Sequence, residues 1–297
     1  MEKIATFITT QRNQWIPLAG LLVMALALRT SLEPWAFMWL IALSVFFGCK
    51  WLTWKRALTE GVSTNDLRVM AYCLAWVGMD AEKFLDIDSN PAKPKLREWI
   101  MPMVYFILGV ILIWKIARIF YPAYPLLSGW LGLIGMGFLF HFGSFQILSL
   151  FWRQLGVNAQ PFLNSPYRAV SLADFWGKRW NMAFRRLSHD FIFEPLRHKL
   201  NLSMAMFPTF LVSGLLHEAI ISLPVNAGYG SPTLYFFLQW MGIVIERSKR
   251  GRGAGFSKGW RGRIFTIVFV LGPFYRLFHE PFVTGVILPF LRVIHSL

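Results

Sequence analysis

The sequence predicts an all-α polytopic membrane protein of about eight transmembrane helices, with amphipathic helices on its cytoplasmic side. Hydrophobic residues make up 56% of the 297 residues and charged residues only 15%, whereas soluble domains average about 25% charged residues. Aromatic residues reach 17% and include 14 Trp, a residue that membrane proteins concentrate at the bilayer interface. Apolar segments recur along the chain without internal repeats. We therefore treat residues 1–297 as a single membrane-embedded domain.

Eight apolar segments are the predicted membrane helices. In chain order they are 14–28, 35–49, 100–120, 126–150, 202–223, 231–246, 264–278 and 282–294. A bilayer-spanning helix needs about 20 apolar residues, and the first two and last three segments are shorter. We expect some of these to be tilted or half-inserted. No small-residue cleavage site follows the first segment, so we expect it not to be removed as a signal peptide.

The distribution of basic residues tests this topology. If all eight segments cross the membrane, 26 of the 30 Lys and Arg fall on one side, including Lys3, Arg12 and Arg292. The other side holds Arg29, Lys115, Arg118 and Arg276. Cytoplasmic loops of membrane proteins are enriched in Lys and Arg, so both termini are predicted to be cytoplasmic. The net charge of +15 is then a consequence of topology, and we expect no nucleic-acid partner.

The sequence lacks the motifs of several classes of functional site. Cys49 and Cys73 are the only cysteines, so the sequence has no disulfide framework. It contains no H-E-x-x-H pattern or clustered His and Asp spacing, and we expect no metal site. It also lacks the G-x-S-x-G elbow of serine hydrolases.

Residues 171–191 have the pattern of a basic amphipathic helix. Ser171 and Asp174 form a capping-box pattern, and apolar residues then recur every three or four positions. The opposite face carries Lys178, Asn181 and Arg185. Helices of this kind lie in the membrane interface. Anchoring to lipid headgroups alone explains the pattern equally well, and Asp174 is as well explained by capping as by catalysis.

His217 lies deep within the apolar segment 202–223. An ionisable residue at bilayer depth is costly, which favours a functional role over a structural hydrogen bond between helices. Ser213 and Gly214 share its helical face and leave room and a polar neighbour beside the ring. Glu218 points about 100° away, so we expect it to pair with another helix. His141 lies in an apolar segment without polar neighbours, and we expect it to pack.

The segment 247–263 is basic and rich in glycine. It has no Walker A pattern. One interpretation is a flexible positive loop near anionic lipid. The other is a cytoplasmic contact for a donor that carries phosphate.

Two motifs resemble the wax synthase branch of the membrane-bound O-acyltransferases. They are Ser-Leu-Ala-Asp-Phe-Trp-Gly-Lys-Arg-Trp-Asn at 171–181 and Ser-Gly-Leu-Leu-His-Glu at 213–218, with Asn-Ser-Pro-Tyr-Arg at 164–168 and the segment 282–292 also similar. The resemblance implies the helical bundle of that family. It also implies an enzyme that moves a fatty acyl group from acyl-CoA, as co-substrate and without a cofactor, to the hydroxyl of a long-chain alcohol.

The resemblance also implies roles for individual residues. His217 would be the catalytic base and Asn181 its upstream partner, while Phe175, Trp176, Arg179 and Trp180 would help to form the acyl-CoA channel. We further expect Asp174, Lys178, Arg185 and Ser213 to contribute to substrate binding. Because CoA is polyanionic, the basic face formed by Lys178, Arg179, Arg185 and Arg186 is its expected contact. The other expected partners are a lipophilic alcohol and membrane lipid.

Two alternatives remain open. The same catalytic pair would serve an acyltransferase that acts on a sterol, a terpenoid or another secondary-metabolite hydroxyl. A membrane transporter would also place His, Glu and Arg inside a bundle, although transporters usually show repeats. The acyltransferase hypothesis requires that the side chains of His217 and Asn181 face one cavity.

Overall fold

The computed structural model describes residues 14–297, and every regular element in that range is helical. In chain order the helices are α1 (Ile16–Ala27), α2 (Pro34–Thr59), α3 (Asp66–Ala75), α4 (Ala81–Leu85), α5 (Leu96–Phe120), α6 (Pro125–Gln154), α7 (Leu172–Asp174, continued by Phe175–Arg179), α8 (Met182–Ser188, continued by His189–Phe193 and Glu194–Arg197), α9 (Leu202–Val225), α10 (Ser231–Arg247), α11 (Lys249–Ala254), α12 (Gly259–Leu271), α13 (Phe274–Leu277) and α14 (Glu280–Phe282, continued by Val283–Ile287 and Leu288–Val293). Single 3₁₀ turns occur at Arg29–Ser31 and Pro166–Arg168.

The predicted segments are helical, which confirms the all-α class, except that segment 264–278 is interrupted at Gly272 and Pro273 between α12 and α13. Four helices, α2, α5, α6 and α9, are long and apolar enough to cross a membrane, and α1 is a shorter apolar helix. Proline lies in the first turn of α2, α6 and α10. At that position its missing N–H costs nothing and its fixed φ suits the helix.

Glycine allows α5 and α6 to pack at short range. A Cβ at Gly109 would lie 2.5 Å from the backbone nitrogen of Leu139, and one at Gly143 would lie 2.8 Å from the Cα of Phe106. Close backbone approach through small residues is the usual means of helix association in membranes. The pair α5–α6 forms one wall of the bundle by this contact.

The prediction of one continuous helix over 171–191 is wrong. Trp180 is extended (φ −96°, ψ 136°) and Asn181 is left-handed (φ 42°), so α7 ends and α8 begins at this point. Asn tolerates the left-handed conformation better than most residues, and its side chain can cap a new helix. Apolar spacing detects the face of a helix but not this break, and Asn181 therefore lies at a turn rather than on a polar helical face.

The contacts of α14 do not agree with the last predicted crossing. If the eight segments cross the membrane in alternating directions, Tyr121 and Trp35 lie on the outer side and Arg292 on the cytoplasmic side. Yet Arg292 Nη2 donates a hydrogen bond to Tyr121 Oη. The ring of Phe290 lies 5.9 Å from that of Trp35. At the other end of α14, a Cβ at Gly228, in the predicted outer loop after α9, would clash with the ring of the preceding His279. Both ends of α14 thus contact the predicted outer side. Its 1.5 Å rise per residue gives a helix of about 21 Å, too short for a core of about 30 Å.

The predicted location of the N-terminus rests on Lys3 and Arg12, which lie outside the described residues. At the other polar end of the bundle, the contacts agree with the predicted cytoplasmic grouping. Arg153 pairs with Glu98 at 3.1 Å, and Arg56 with Asp190 at 3.4 Å. These pairs join loops that the charge distribution assigns to one side.

Candidate active site

His217 has one ring nitrogen engaged and the other free. Its Nδ1 lies 2.7 Å from the carbonyl oxygen of Ser213, one helical turn earlier. A carbonyl oxygen can only accept a hydrogen bond, so the proton resides on Nδ1 and Nε2 carries a lone pair. Within the described residues Nε2 has no hydrogen-bond partner, and the side chain is half-buried. This tautomer is the one that a general base requires.

The side chains of Ser213 and Glu218, both close to His217 on α9, form hydrogen bonds that hold this part of the helix in place. The hydroxyl of Ser213 donates to the carbonyl of Thr209 at 2.9 Å, so Ser213 contacts the imidazole through its backbone. Glu218 Oε1 accepts hydrogen bonds from the backbone nitrogen and the hydroxyl of Thr233 in α10, at 3.0 and 2.9 Å. This confirms the prediction that Glu218 pairs with another helix. A Cβ at Gly214 would lie 2.9 Å from the Cα of Thr233, so α9 and α10 touch here.

A series of aromatic rings connects His217 with the residue that precedes Asn181. The imidazole lies 4.6 Å from the ring of Phe236, and Phe236 lies 5.9 Å from Trp176. Phe175 contacts Trp176 at 5.1 Å and stacks on Trp180 at 5.5 Å. Three residues of the predicted acyl-CoA channel therefore meet in one apolar layer. This ring series, Phe236–Trp176–Phe175–Trp180, runs from His217 to the turn at Asn181.

Asn181 is the N-cap of α8. Its Oδ1 accepts a hydrogen bond from the backbone nitrogen of Phe184 at 3.2 Å. The amide nitrogen of the same side chain has no partner within the described residues, so it is free to donate. Asn181 is half-buried, and within the described residues its side chain forms no hydrogen bond with His217. That the side chains of His217 and Asn181 face one cavity stays a prediction.

Asp174 and Arg179 pair with each other. Arg179 Nε lies 2.6 Å from Asp174 Oδ2, and its Nη1 donates to the carbonyl of Ser165 at 3.4 Å. The backbone nitrogen of Asn164 in turn donates to the carbonyl of Arg179 at 2.8 Å. Ser171 Oγ accepts from the Asp174 nitrogen, which confirms the predicted cap. Asp174 and Arg179 thus hold the 164–168 loop against α7.

The predicted basic face divides into engaged and free residues. Arg186 pairs with Glu82 at 2.5 Å and with Asp190 at 3.3 Å. Lys178 and Arg185 are exposed and have no polar partner within the described residues. These two cations are therefore available to an anionic ligand, whereas Arg179 and Arg186 stabilise the fold.

Gln239 and Glu246, which lie outside the two motifs, hold α7 in place. Gln239 Oε1 accepts from Trp176 Nε1 at 3.2 Å, while its Nε2 donates to the carbonyl of Phe269 at 2.6 Å. Glu246 Oε2 accepts from the backbone nitrogens of Leu172 and Ala173, at 2.5 and 3.3 Å. Both side chains are buried. Their sequence signal is a spacing of seven within an apolar segment, which places them on one helical face.

An apolar groove opens between α9 and α10. Its volume is about 300 Å³. The residues that line it are Phe207, Phe210, Leu211, Gly230, Thr233, Leu234 and Phe237. The ring of Phe210 lies 5.9 Å from that of Trp176, so the α9–α10 groove adjoins the ring series.

Residues 159–239 match the model of the membrane bound O-acyl transferase family. The chain is 32% identical over 139 residues to the probable long-chain-alcohol O-fatty-acyltransferase 3 of Arabidopsis thaliana, covering 42% of this chain and 40% of the relative. It is 30% identical over 129 residues to the acyl-CoA–sterol O-acyltransferase 1 of that plant, covering 38% and 35%. It is 39% identical over 72 residues to the long-chain-alcohol O-fatty-acyltransferase of Simmondsia chinensis, covering 22% and 20%.

These matches cover no more than 40% of the length of those three relatives. The family match contains both motifs, at 171–181 and at 213–218. The resemblance to wax synthase-like membrane-bound O-acyltransferases is thereby confirmed.

Proposed function

We propose that this protein transfers a fatty acyl group from acyl-CoA to the hydroxyl of a long-chain alcohol and thereby forms a wax ester. The observation that carries the proposal is the tautomer of His217. Its Nδ1 is bound to the Ser213 carbonyl, which leaves the Nε2 lone pair available inside a helix able to cross a membrane. An alcohol is a poor nucleophile at neutral pH and needs such a base within hydrogen-bond reach.

His217 acts first as base and then as acid. Nε2 accepts the hydroxyl proton as the alcohol oxygen attacks the thioester carbonyl carbon. The tetrahedral intermediate then breaks its carbon–sulfur bond, and the CoA sulfur leaves with the proton that Nε2 holds. The products are an ester and CoA thiol, and the imidazole returns to its initial state. Because the acyl group passes directly, the reaction needs no acyl-enzyme.

Asn181 supplies a hydrogen-bond donor to the same intermediate. Its oxygen is held by the Phe184 nitrogen, so the orientation of the amide is set before substrate binds. The free amide nitrogen donates to the thioester oxygen as negative charge develops there. Preorganised donors of this kind lower the barrier because they need no reorganisation during the reaction.

The two substrates approach from different environments. CoA is water-soluble and polyanionic, and the exposed cations Lys178 and Arg185 attract it on the predicted cytoplasmic side. The alcohol dissolves in the membrane, and the α9–α10 groove would accept its alkyl chain. The ring series limits water near the thioester, which disfavours hydrolysis relative to transfer to the alcohol.

Substitution of His217 tests the proposal. Membranes that contain His217→Ala or His217→Gln are assayed with labelled acyl-CoA and a long-chain alcohol, and the amount of folded protein is measured in parallel. Loss of a general base costs about 10²- to 10⁴-fold in kcat. The control is His198→Ala, because His198 is exposed. Near-normal turnover by folded His217→Ala protein would exclude His217 as the base.

A sterol is the second acceptor class, because one relative is named as a sterol acyltransferase. The catalytic pair would be the same, so the acceptor must be determined directly. Parallel assays with one labelled acyl-CoA and either a long-chain alcohol or a sterol separate the two. A transporter would move substrate across vesicles without forming an ester.

A further inference from the structure

The ring series does not end at Trp180 but continues to a second imidazole. His141 lies in Gly137–Ser144, a π-helical part of α6, and its ring is nearly parallel to that of Trp180 (9°, centroids 6.1 Å apart). The rings of Phe145 and Phe162 each lie 5.4 Å away.

His141 lacks a polar partner. No described residue hydrogen-bonds to either of its ring nitrogens, although the side chain is half-buried among three aromatic rings. A polar group that loses water without gaining a hydrogen bond costs about 1–3 kcal/mol. Buried polar groups of native proteins are therefore almost always hydrogen-bonded. The ring nitrogens of His141 are therefore free to hydrogen-bond to a water molecule or a bound substrate.

The position of His141 favours the substrate. Trp180, which faces the imidazole, directly precedes Asn181. Met182, which directly follows it, donates its backbone N–H to the carbonyl of Phe162 at 2.9 Å, and the Phe162 ring also contacts His141. Both neighbours of Asn181 are thus anchored to the surroundings of this imidazole, and His141 lies beside the turn that presents the free amide of Asn181.

The same apolar cluster extends to the helix of His217. It contains Phe145, Phe162 and Trp180 together with Leu216 and Ala219 of α9. The residues on both sides of the His217–Glu218 pair therefore pack against the layer that encloses His141. A thioester held between α9 and the Asn181 turn would lie within this layer.

We propose that His141 is a second donor to the thioester carbonyl, alongside Asn181. In its neutral form the imidazole has one N–H, which donates a hydrogen bond to the carbonyl oxygen and strengthens it as negative charge develops. No proton is transferred and His141 stays neutral throughout. The inference rests on the acyl transfer proposed above, and it adds to that reaction a residue outside the matched segment 159–239.

Two variants remove the donor with different effects on packing. His141→Phe keeps an aromatic ring and His141→Leu is smaller, while His141→Gln restores an N–H. Phe138→Leu is the control, because Phe138 belongs to the same π-helical segment but contacts Tyr105 and Phe142. We expect kcat to fall about 10²-fold in His141→Phe, as for removal of one oxyanion donor, while the KM for acyl-CoA rises by no more than about tenfold. His141→Gln should recover part of the rate.

A binding measurement separates this inference from the proposed function. The probes are two non-reactive analogues of acyl-CoA. The first is a ketone, in which a CH₂ group stands between the CoA sulfur and the carbonyl carbon. The second is an alkyl-CoA thioether, which has no carbonyl. His141→Phe should weaken binding of the ketone about tenfold and leave the thioether unaffected. Equal affinities of wild type and His141→Phe for the ketone would overturn the inference, as would loss of folding in both donor-less variants. Failure of the wild type to bind either analogue would instead contradict the proposed function.

Discussion

Glu246 Oε2 accepts a hydrogen bond from the backbone nitrogen of Leu172 at 2.5 Å, although the two residues are 74 positions apart. Glu246 is 2% exposed and Leu172 is fully buried. The carboxylate thus caps the first turn of α7, where the free N–H groups and the helix dipole favour a negative charge. The segment that contains Phe175, Trp176 and Asn181 is therefore positioned by α10.

Replacement of Glu246 should cost both stability and activity. Glu246→Leu leaves the N–H groups of Leu172 and Ala173 without an acceptor, at about 1–3 kcal/mol each, and frees α7 from its position. Glu246→Gln keeps one acceptor oxygen and should recover much of both properties. Thermal unfolding and kcat are the measurements. The exposed Glu33→Leu serves as control, and an equally small effect of Glu246→Leu would contradict the positioning role.

Asn181 should be tested with residues that tolerate its left-handed backbone. Ala would lose the cap and strain the backbone at φ 42°, so its low activity would be ambiguous. Asn181→Asp keeps the oxygen that caps Phe184 but has no N–H to donate. Asn181→Gly keeps the backbone conformation and removes the amide.

We expect both Asn181 variants to fold and to lose about 10²- to 10³-fold in kcat. Asn201→Asp is the matched control, because Asn201 caps α9 through a 3.0 Å bond from the Met204 nitrogen. A fully active Asn181→Asp enzyme would show that this position acts as an acceptor and not as a donor.

Lys178 and Arg185 should affect the binding of CoA more than the chemical step. Each exposed charge contact contributes about 0.2–1 kcal/mol, so Lys178→Ala with Arg185→Ala should raise the KM for acyl-CoA by about twofold to thirtyfold. The kcat should stay close to that of the wild type, and the difference in KM should shrink as salt is added. Lys93→Ala, another exposed and unpaired lysine, is the control. A KM independent of both cations and of salt would place the CoA contact elsewhere.

The α9–α10 groove should set the preference for alcohol chain length. Leu211→Phe or Leu234→Phe would fill part of the groove and displace a few methylene groups, each about 0.8 kcal/mol of burial. Long-chain alcohols should then show a KM about tenfold higher, whereas short-chain alcohols should be used as before. Leu215→Phe on the exposed face of α9 is the comparison. An unchanged chain-length profile would remove the groove from the alcohol site.

The contact between Arg292 and Tyr121 predicts the side on which the chain ends. In a Cys49→Ala, Cys73→Ala background, single cysteines at Tyr124 and Val293, both exposed, should react with a membrane-impermeant maleimide added from the same side. Arg250→Cys, in the short basic helix α11, should react from the opposite side. Protection of Val293→Cys where Tyr124→Cys reacts would restore eight crossings.

Composition and apolar runs were sufficient for the helices, since the bilayer requires long apolar segments wherever the chain enters it. They predicted α5, α6 and α9 to within about four residues of their observed bounds, whereas α2 continues to Thr59, beyond the predicted end at residue 49. Helical geometry also led to the correct prediction that Glu218 pairs with a different helix, because consecutive residues of a helix point in different directions and Glu218 is turned away from His217. Local spacing could not reveal the left-handed turn at Asn181, whose cap depends on one side-chain oxygen.

The sequence by itself determined that this is a helical membrane protein with a histidine in an apolar helix and a basic aromatic motif before it. Only the tertiary structure decided which polar groups of that motif are free. Arg179 and Arg186 are paired, whereas Lys178, Arg185 and the amide of Asn181 are not, and the carboxylate that holds the motif comes from α10. The reason is physical: periodicity records which face a helix buries, but a hydrogen bond between residues 74 positions apart forms only after the helices have packed.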